Sequence, residues 1–214
     1  MKSKIGSYLV IDLETGGLPN VNKQATYDVP ISEMALVMVD NELNIIDKDS
    51  FYINPYLPPQ NYTKKAFEVN GSTLEILEKE GIPIEEVIDR IKGFIEVNNV
   101  LKPLPVLVGQ NIRKFDLQFL ENLFELFGDD LYKSVQSIVF DTLEFAYIMY
   151  WEAPNYKLGT LCTQYDIDLE NAHTALADTV ATAELWISYT KMLRGESESD
   201  ETEEETEEET KFEF

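Results

Sequence analysis

The sequence predicts an α/β fold, a mixed five-stranded sheet flanked by helices, with a disordered acidic tail behind it. Three observations carry this expectation. Three strand-like segments follow one another near the N-terminus. Strand and helix patterns alternate from residue 105 onward. Beyond residue 194 apolar side chains stop until Phe212.

Tyr8-Leu9-Val10-Ile11 is an apolar run entering Asp12-Leu13-Glu14-Thr15-Gly16-Gly17, a buried strand that closes in a turn. Residues 31–39 and 50–53 read as two more strands around the polar turn Asp40-Asn41-Glu42, which makes an antiparallel meander. A Pro-rich loop over residues 55–59 precedes two helical segments, 72–80 and 84–97. The second sets Ile84, Val87, Ile88, Ile91, Phe94 and Ile95 on one stripe, with Pro83 at the place where a helix start tolerates proline. Residues 105–109 read as a buried strand, and residues 116–127 as an apolar helix stopped by Gly128. A fifth short strand over 138–140 is followed by helices over 142–150, 158–165 and 174–193.

The 214 residues, 44% of them hydrophobic, suffice for one compact domain over residues 1–194. No stretch approaches the roughly 20 apolar residues of a membrane span, and Met1-Lys2-Ser3-Lys4 leads straight into the first strand. A soluble, cytoplasmic protein is therefore expected. Cys162 is the only cysteine, so no internal disulfide can form and a reducing compartment fits.

The net charge is −23. Residues 195–214 hold 11 of the 40 acids and one of the 17 bases, which leaves −13 on residues 1–194. Such a balance excludes a broad basic face for a long duplex. A nucleic-acid partner would have to be gripped at a short end, through metal ions and a few cations. Within residues 195–214, Glu203-Glu204-Glu205-Thr206 is repeated as Glu207-Glu208-Glu209-Thr210. Charges this dense repel and bury no core, so the tail is expected to be disordered, as a solubiliser or a docking segment.

Asp12 and Glu14, two apart at a strand end, point to the same sheet face. Two carboxylates side by side repel unless a cation lies between them, and oxygen ligands of this kind suit Mg²⁺ or Mn²⁺. Asp116 opens an apolar helix, where the helix dipole alone already favours an acid. His173, the only histidine, precedes Asp178 by five residues. Five helical residues turn about 500°, so the two side chains converge only if His173 precedes the helix and Thr174 caps it. Each residue has an ordinary structural explanation when taken alone.

Together, in this order, the segments resemble the DEDD exonuclease superfamily in its histidine variant. Asp12-Leu13-Glu14-Thr15-Gly16-Gly17-Leu18 matches the first motif. Gly109-Gln110-Asn111 with Phe115-Asp116-Leu117 and Phe119-Leu120 matches the second, and His173-Thr174-Ala175-Leu176-Ala177-Asp178 the third. The tyrosine variant would need Tyr at position 174. The spacing from Gly109 to Asp116 is one residue longer than the commonest form, which calls for a local bulge before Asp116.

The resemblance spans residues 7–193 and implies a ribonuclease-H-like fold. It implies that Asp12, Glu14, Asp116 and Asp178 bind two divalent ions, Mg²⁺ or Mn²⁺, and that His173 is the general base. Thr15, Gly16 and Leu18 would contact the 3′-terminal nucleotide. Asn70 falls where many members have a histidine that touches substrate, and Asp141-Thr142 resembles a pair the family carries after its fifth strand.

Within the superfamily the chain looks most like the proofreading subunits of bacterial replicative DNA polymerases and their phage relatives. That branch implies removal of nucleoside 5′-monophosphates from single-stranded or frayed DNA 3′ ends, in proofreading or repair. A ribonuclease T type exoribonuclease is the alternative. A reading from another class is a replication interaction module. In it, residues 195–214, ending in Glu209-Thr210-Lys211-Phe212-Glu213-Phe214, would dock on a polymerase, a sliding clamp or another replication protein.

Overall fold

The computed structural model describes residues 5–18, 28–99, 103–169 and 174–196. His173 and residues 197–214 of the predicted tail lie outside them. The expected meander is present as β1 (Ser7–Thr15), β2 (Ile31–Asp40) and β3 (Ile45–Tyr52), and two parallel strands, β4 (Val106–Gly109) and β5 (Val139–Asp141), complete the sheet. The order is β3-β2-β1-β4-β5, so the strand carrying Asp12 and Glu14 is central. Neighbours β1/β2 and β2/β3 are antiparallel, while β1/β4 and β4/β5 are parallel.

Strand alternation divides β1 between two helical layers. Leu9, Ile11 and Leu13 join Met34, Leu36, Met38 and Leu107 in the larger core, which is covered by α3 (Ile84–Asn98) and α4 (Asp116–Leu126). All six residues of the predicted α3 stripe are buried there. Each such aliphatic side chain contributes roughly 1.5–3 kcal/mol relative to exposure. Tyr8 and Val10 face the opposite side, against Ala183 and Trp186 of α7 (Ala175–Arg194). Asp12 and Glu14 share that parity, so the strand delivers both to the α7 side at its end. A third cluster joins Leu185 and Tyr189 of α7 to Ala146 of α5 (Thr142–Met149) and Leu161 of α6 (Leu158–Gln164).

Three differences from the sequence expectation have physical causes. A short helix, α1 (Lys64–Asn70), follows the Pro-rich loop and was not expected; it has no long apolar stripe and is held by its ends. Thr63 accepts the Ala66 N–H, and Gly71 ends the helix at φ 71°, a left-handed conformation that suits glycine. The next helix, α2 (Leu74–Glu80), begins two residues later than expected because Thr73 serves as its N-cap. β3 extends five residues further toward its N-terminus than the predicted 50–53, through Asp47-Lys48-Asp49, because an edge strand can expose polar side chains and so loses its apolar signature.

Replacing Ile91, fully buried at the middle of the α3 stripe, by alanine is expected to lower unfolding free energy by roughly 2–5 kcal/mol. Urea denaturation of the metal-free protein measures it, and an unchanged midpoint would contradict the assigned core.

Candidate active site

The carboxylates that the sequence singles out are delivered by three elements to one end of the sheet. Asp12 and Glu14 come from the end of β1, each half-buried. Asp116 is the first residue of α4 and is buried, with one carboxylate oxygen accepting the Leu13 N–H at 3.1 Å. That bond ties the α4 N-terminus to the strand residue between the other two acids. Asp178 sits in the first turn of α7, where Thr174 is the N-cap predicted for it and accepts the Ala177 N–H at 3.3 Å.

The extra residue between Gly109 and Asp116 is taken up in the loop before α4. Asn111 adopts φ 58°, and the Leu117 N–H reaches back five residues to Ile112 O at 2.9 Å, a wider turn than the α-helical one. Asp141 holds this loop. Its Oδ1 accepts the N–H of Asn111 at 2.9 Å and of Leu143 at 3.0 Å, and its Oδ2 accepts that of Arg113 at 3.2 Å.

Sequence reasoning missed a fifth acid. Glu33 of β2 lies directly opposite Glu14 in the antiparallel register and is buried at 7% exposure. Only the pairing of β1 with β2 could have revealed it.

Electrostatically the group is overcrowded. Burial, then Asp178 and Glu33, push the Asp12 carboxyl up to about 7. Burial and the charges of Asp12, Glu33 and Asp178 push Glu14 up to about 8, against a hydrogen bond from Asn70. Glu33 rises to about 7 mainly through burial, and Asp116 is held well above the usual carboxylate range by burial and by Asp12. An all-oxygen donor set of this charge fits a hard divalent cation. Among the described residues, no three of the acids stand close enough together to hold an ion as they are placed.

Beside Glu14 a cleft of about 470 Å³ opens between the end of β1 and α1. Thr15 and Leu18 line it, together with Phe115 and with Lys65, Ala66 and Val69, which the sequence did not single out. Leu18 is 80% exposed and free to touch a ligand. Gly16 is pinned behind the cleft: its N–H donates to Pro30 O at 2.8 Å and its carbonyl accepts the Thr63 N–H at 2.7 Å. A Cβ on Gly16 would lie 2.7 Å from Pro30 Cγ, so glycine is needed there for the protein's own packing. Asn70 is buried, with Oδ1 accepting from Ser72 N at 3.1 Å and Ser72 Oγ at 2.7 Å, and it reaches Glu14. His173 lies outside the described residues.

Comparison with known proteins agrees with this geometry. The family model described as Exonuclease matches residues 9–186. The chain belongs to the exonuclease family. It is 34% identical over 192 residues to the PolC-type DNA polymerase III of Bacillus subtilis, and 30% identical over 189 residues to that of Caldanaerobacter subterraneus subsp. tengcongensis. Those matches cover 90% and 88% of this exonuclease-family chain but only 12% of each polymerase. Among solved structures, E. coli exonuclease I in complex with a dA16 oligonucleotide superposes with a TM-score of 0.70 at 23% identity, over 87% of this chain and 41% of that one. That likeness places the two on one fold. Among the described residues, no helix is long and apolar enough to cross a membrane.

The raised carboxyls give the metal-free protein a distinctive pH dependence. Between the unfolded values near 4 and the folded values of about 7 to 8, the native state binds more protons than the unfolded state. Stability is therefore expected to fall as pH rises through that window and to level off above it. Thermal melts in EDTA from about pH 5 to about pH 8 test the sign, and Mg²⁺ or Mn²⁺ should remove most of the fall.

Proposed function

We propose that this chain is a two-metal-ion 3′→5′ exonuclease that removes nucleoside 5′-monophosphates from single-stranded or frayed DNA 3′ ends. The observation that carries the reading is the convergence of Asp12, Glu14, Asp116 and Asp178 on one sheet end, where burial and the neighbouring carboxylates raise the proton affinity of Asp12, Glu14 and Asp116. These four would hold Mg²⁺ or Mn²⁺. When bound, two such ions activate a water and stabilise charge on the scissile phosphate.

The remaining work falls to this chain's own groups. His173 would take the proton of the attacking water, the general-base role to which histidine is suited. Leu18 and the apolar wall of Ala66, Val69 and Phe115 receive the terminal base by contact alone, which suits removal of any base. Thr15 stands in the same cleft next to Glu14, and Asn70 steadies Glu14 from behind. Lys65 supplies a cation at the cleft for the strand's phosphates.

The PolC-type DNA polymerases support DNA as the substrate. The same relatives support work beside a replicative polymerase, with residues 195–214 as the candidate docking segment.

With a 5′-labelled oligonucleotide and Mg²⁺, the wild type should give a ladder shortening from the 3′ end. Asp12→Ala or Asp178→Ala should abolish it, and His173→Ala should slow it by roughly 10²-fold. Full activity in EDTA would contradict the metal reading. Faster degradation of RNA than of DNA of the same sequence would move the substrate to the exoribonuclease alternative.

A further inference from the structure

We propose that an aromatic face formed by Tyr147, Trp151 and Tyr156 binds bases of the nucleic-acid strand on the 5′ side of the scissile phosphate. The sheet register locates this face. Val108 pairs with Val10 in the parallel β1/β4 ladder, so Gln110, two residues further on, comes level with Asp12 just past the end of β4. Val106 and Val108 pack on the α7 side as Val10 does, and strand alternation carries Gln110 to that side as well. From there the Gln110 side-chain amide donates to the Tyr156 carbonyl at 3.1 Å, and its oxygen accepts the Thr142 hydroxyl at 2.5 Å. The segment between α5 and α6 is thereby fastened beside the carboxylates.

This segment presents rings on a firm base. Tyr156 packs against the cluster of Ala146, Leu161, Leu185 and Tyr189, and the Tyr147 ring meets it edge-on with centroids 4.5 Å apart. From that footing Tyr147 is 49% exposed, Ile148 80% and Trp151 76%. Leaving three large apolar side chains in water within residues 147–151 gains the free protein nothing, so the face is shaped for a ligand.

Its position and chemistry select a single strand as that ligand. The terminal base is assigned to the cleft beside α1, and the strand behind it has to leave the carboxylates over a neighbouring element. Residues 1–194 carry a net charge of −13, so attraction to phosphate alone holds a strand poorly. Stacking on exposed rings supplies what charge withholds and accepts any base. Lys157, exposed directly after Tyr156, adds a cation for the phosphates of the same stretch.

The inference rests on reading this site as the hydrolytic centre, and its test reads strand binding apart from hydrolysis. In EDTA, an oligothymidylate of about eight residues should quench the tryptophan emission of the wild type. Trp151→Phe should remove that quenching, because the remaining Trp186 is buried.

With Mg²⁺, kcat/KM is compared for the same oligonucleotide and for the p-nitrophenyl ester of thymidine 5′-monophosphate, whose leaving group replaces the upstream strand. The ratio of the first to the second should fall roughly 5-fold or more in Trp151→Ala, and further when Tyr147→Ala is added. Trp151→Phe, which keeps a ring, should hold the ratio within roughly twofold of wild type. An undiminished ratio in the double variant overturns the proposal, with or without quenching. So does loss of self-association by the double variant in sedimentation at an unchanged ratio, which would give the face to a second copy of the chain. A wild type that hydrolyses neither substrate defeats the reading of the site and leaves the quenching to decide whether this face holds a strand.

Discussion

Repulsion among five carboxylates at the end of β1 is the constraint around which this domain is organised. Two unit charges about 4 Å apart cost roughly 1 kcal/mol in water and about 4 kcal/mol near a protein surface. Asp12, Glu14, Glu33 and Asp116 all have raised proton affinities, through burial and, for Asp12, Glu14 and Asp116, through neighbouring carboxylates. The free protein holds them together by packing elsewhere. A large apolar core on one sheet face and α7 on the other hold the backbone rigid at the site, so the acids cannot simply move apart.

Each acid is placed by a different device. Strand alternation puts Asp12 and Glu14 on one face. The Leu13 N–H holds Asp116, and behind it Asp141 clasps the loop that absorbs the extra residue before α4. A helix N-cap at Thr174 locates the turn that carries Asp178. The cleft next to these acids is apolar, so the same end of the sheet offers charge to a phosphate-bound cation and a dry wall to a base.

Much of this was legible in the sequence because it is written in local patterns. The α3 stripe, the Asp12/Glu14 spacing and the Thr174 cap each depend on residues within a turn or two of one another. What was not legible depends on distant pairing. Glu33 looks like an ordinary polar residue in Ile31-Ser32-Glu33-Met34 until β2 is laid against β1. The helix α1, which supplies Lys65, Ala66 and Val69 to the cleft, is seven residues long and defined by Thr63 and Gly71 more than by any periodicity. At Gly16, expected to contact the 3′-terminal nucleotide, the missing Cβ also makes room for Pro30, a packing role that only the folded structure reveals.

The most direct measurement of the account is the anomalous scattering of a crystal of the full chain grown or soaked with Mn²⁺. Two peaks about 4 Å apart, ligated by Asp12, Glu14, Asp116 and Asp178, are the predicted result. No manganese at this end of the sheet, or a single ion that leaves Asp116 or Asp178 without contact, would contradict it.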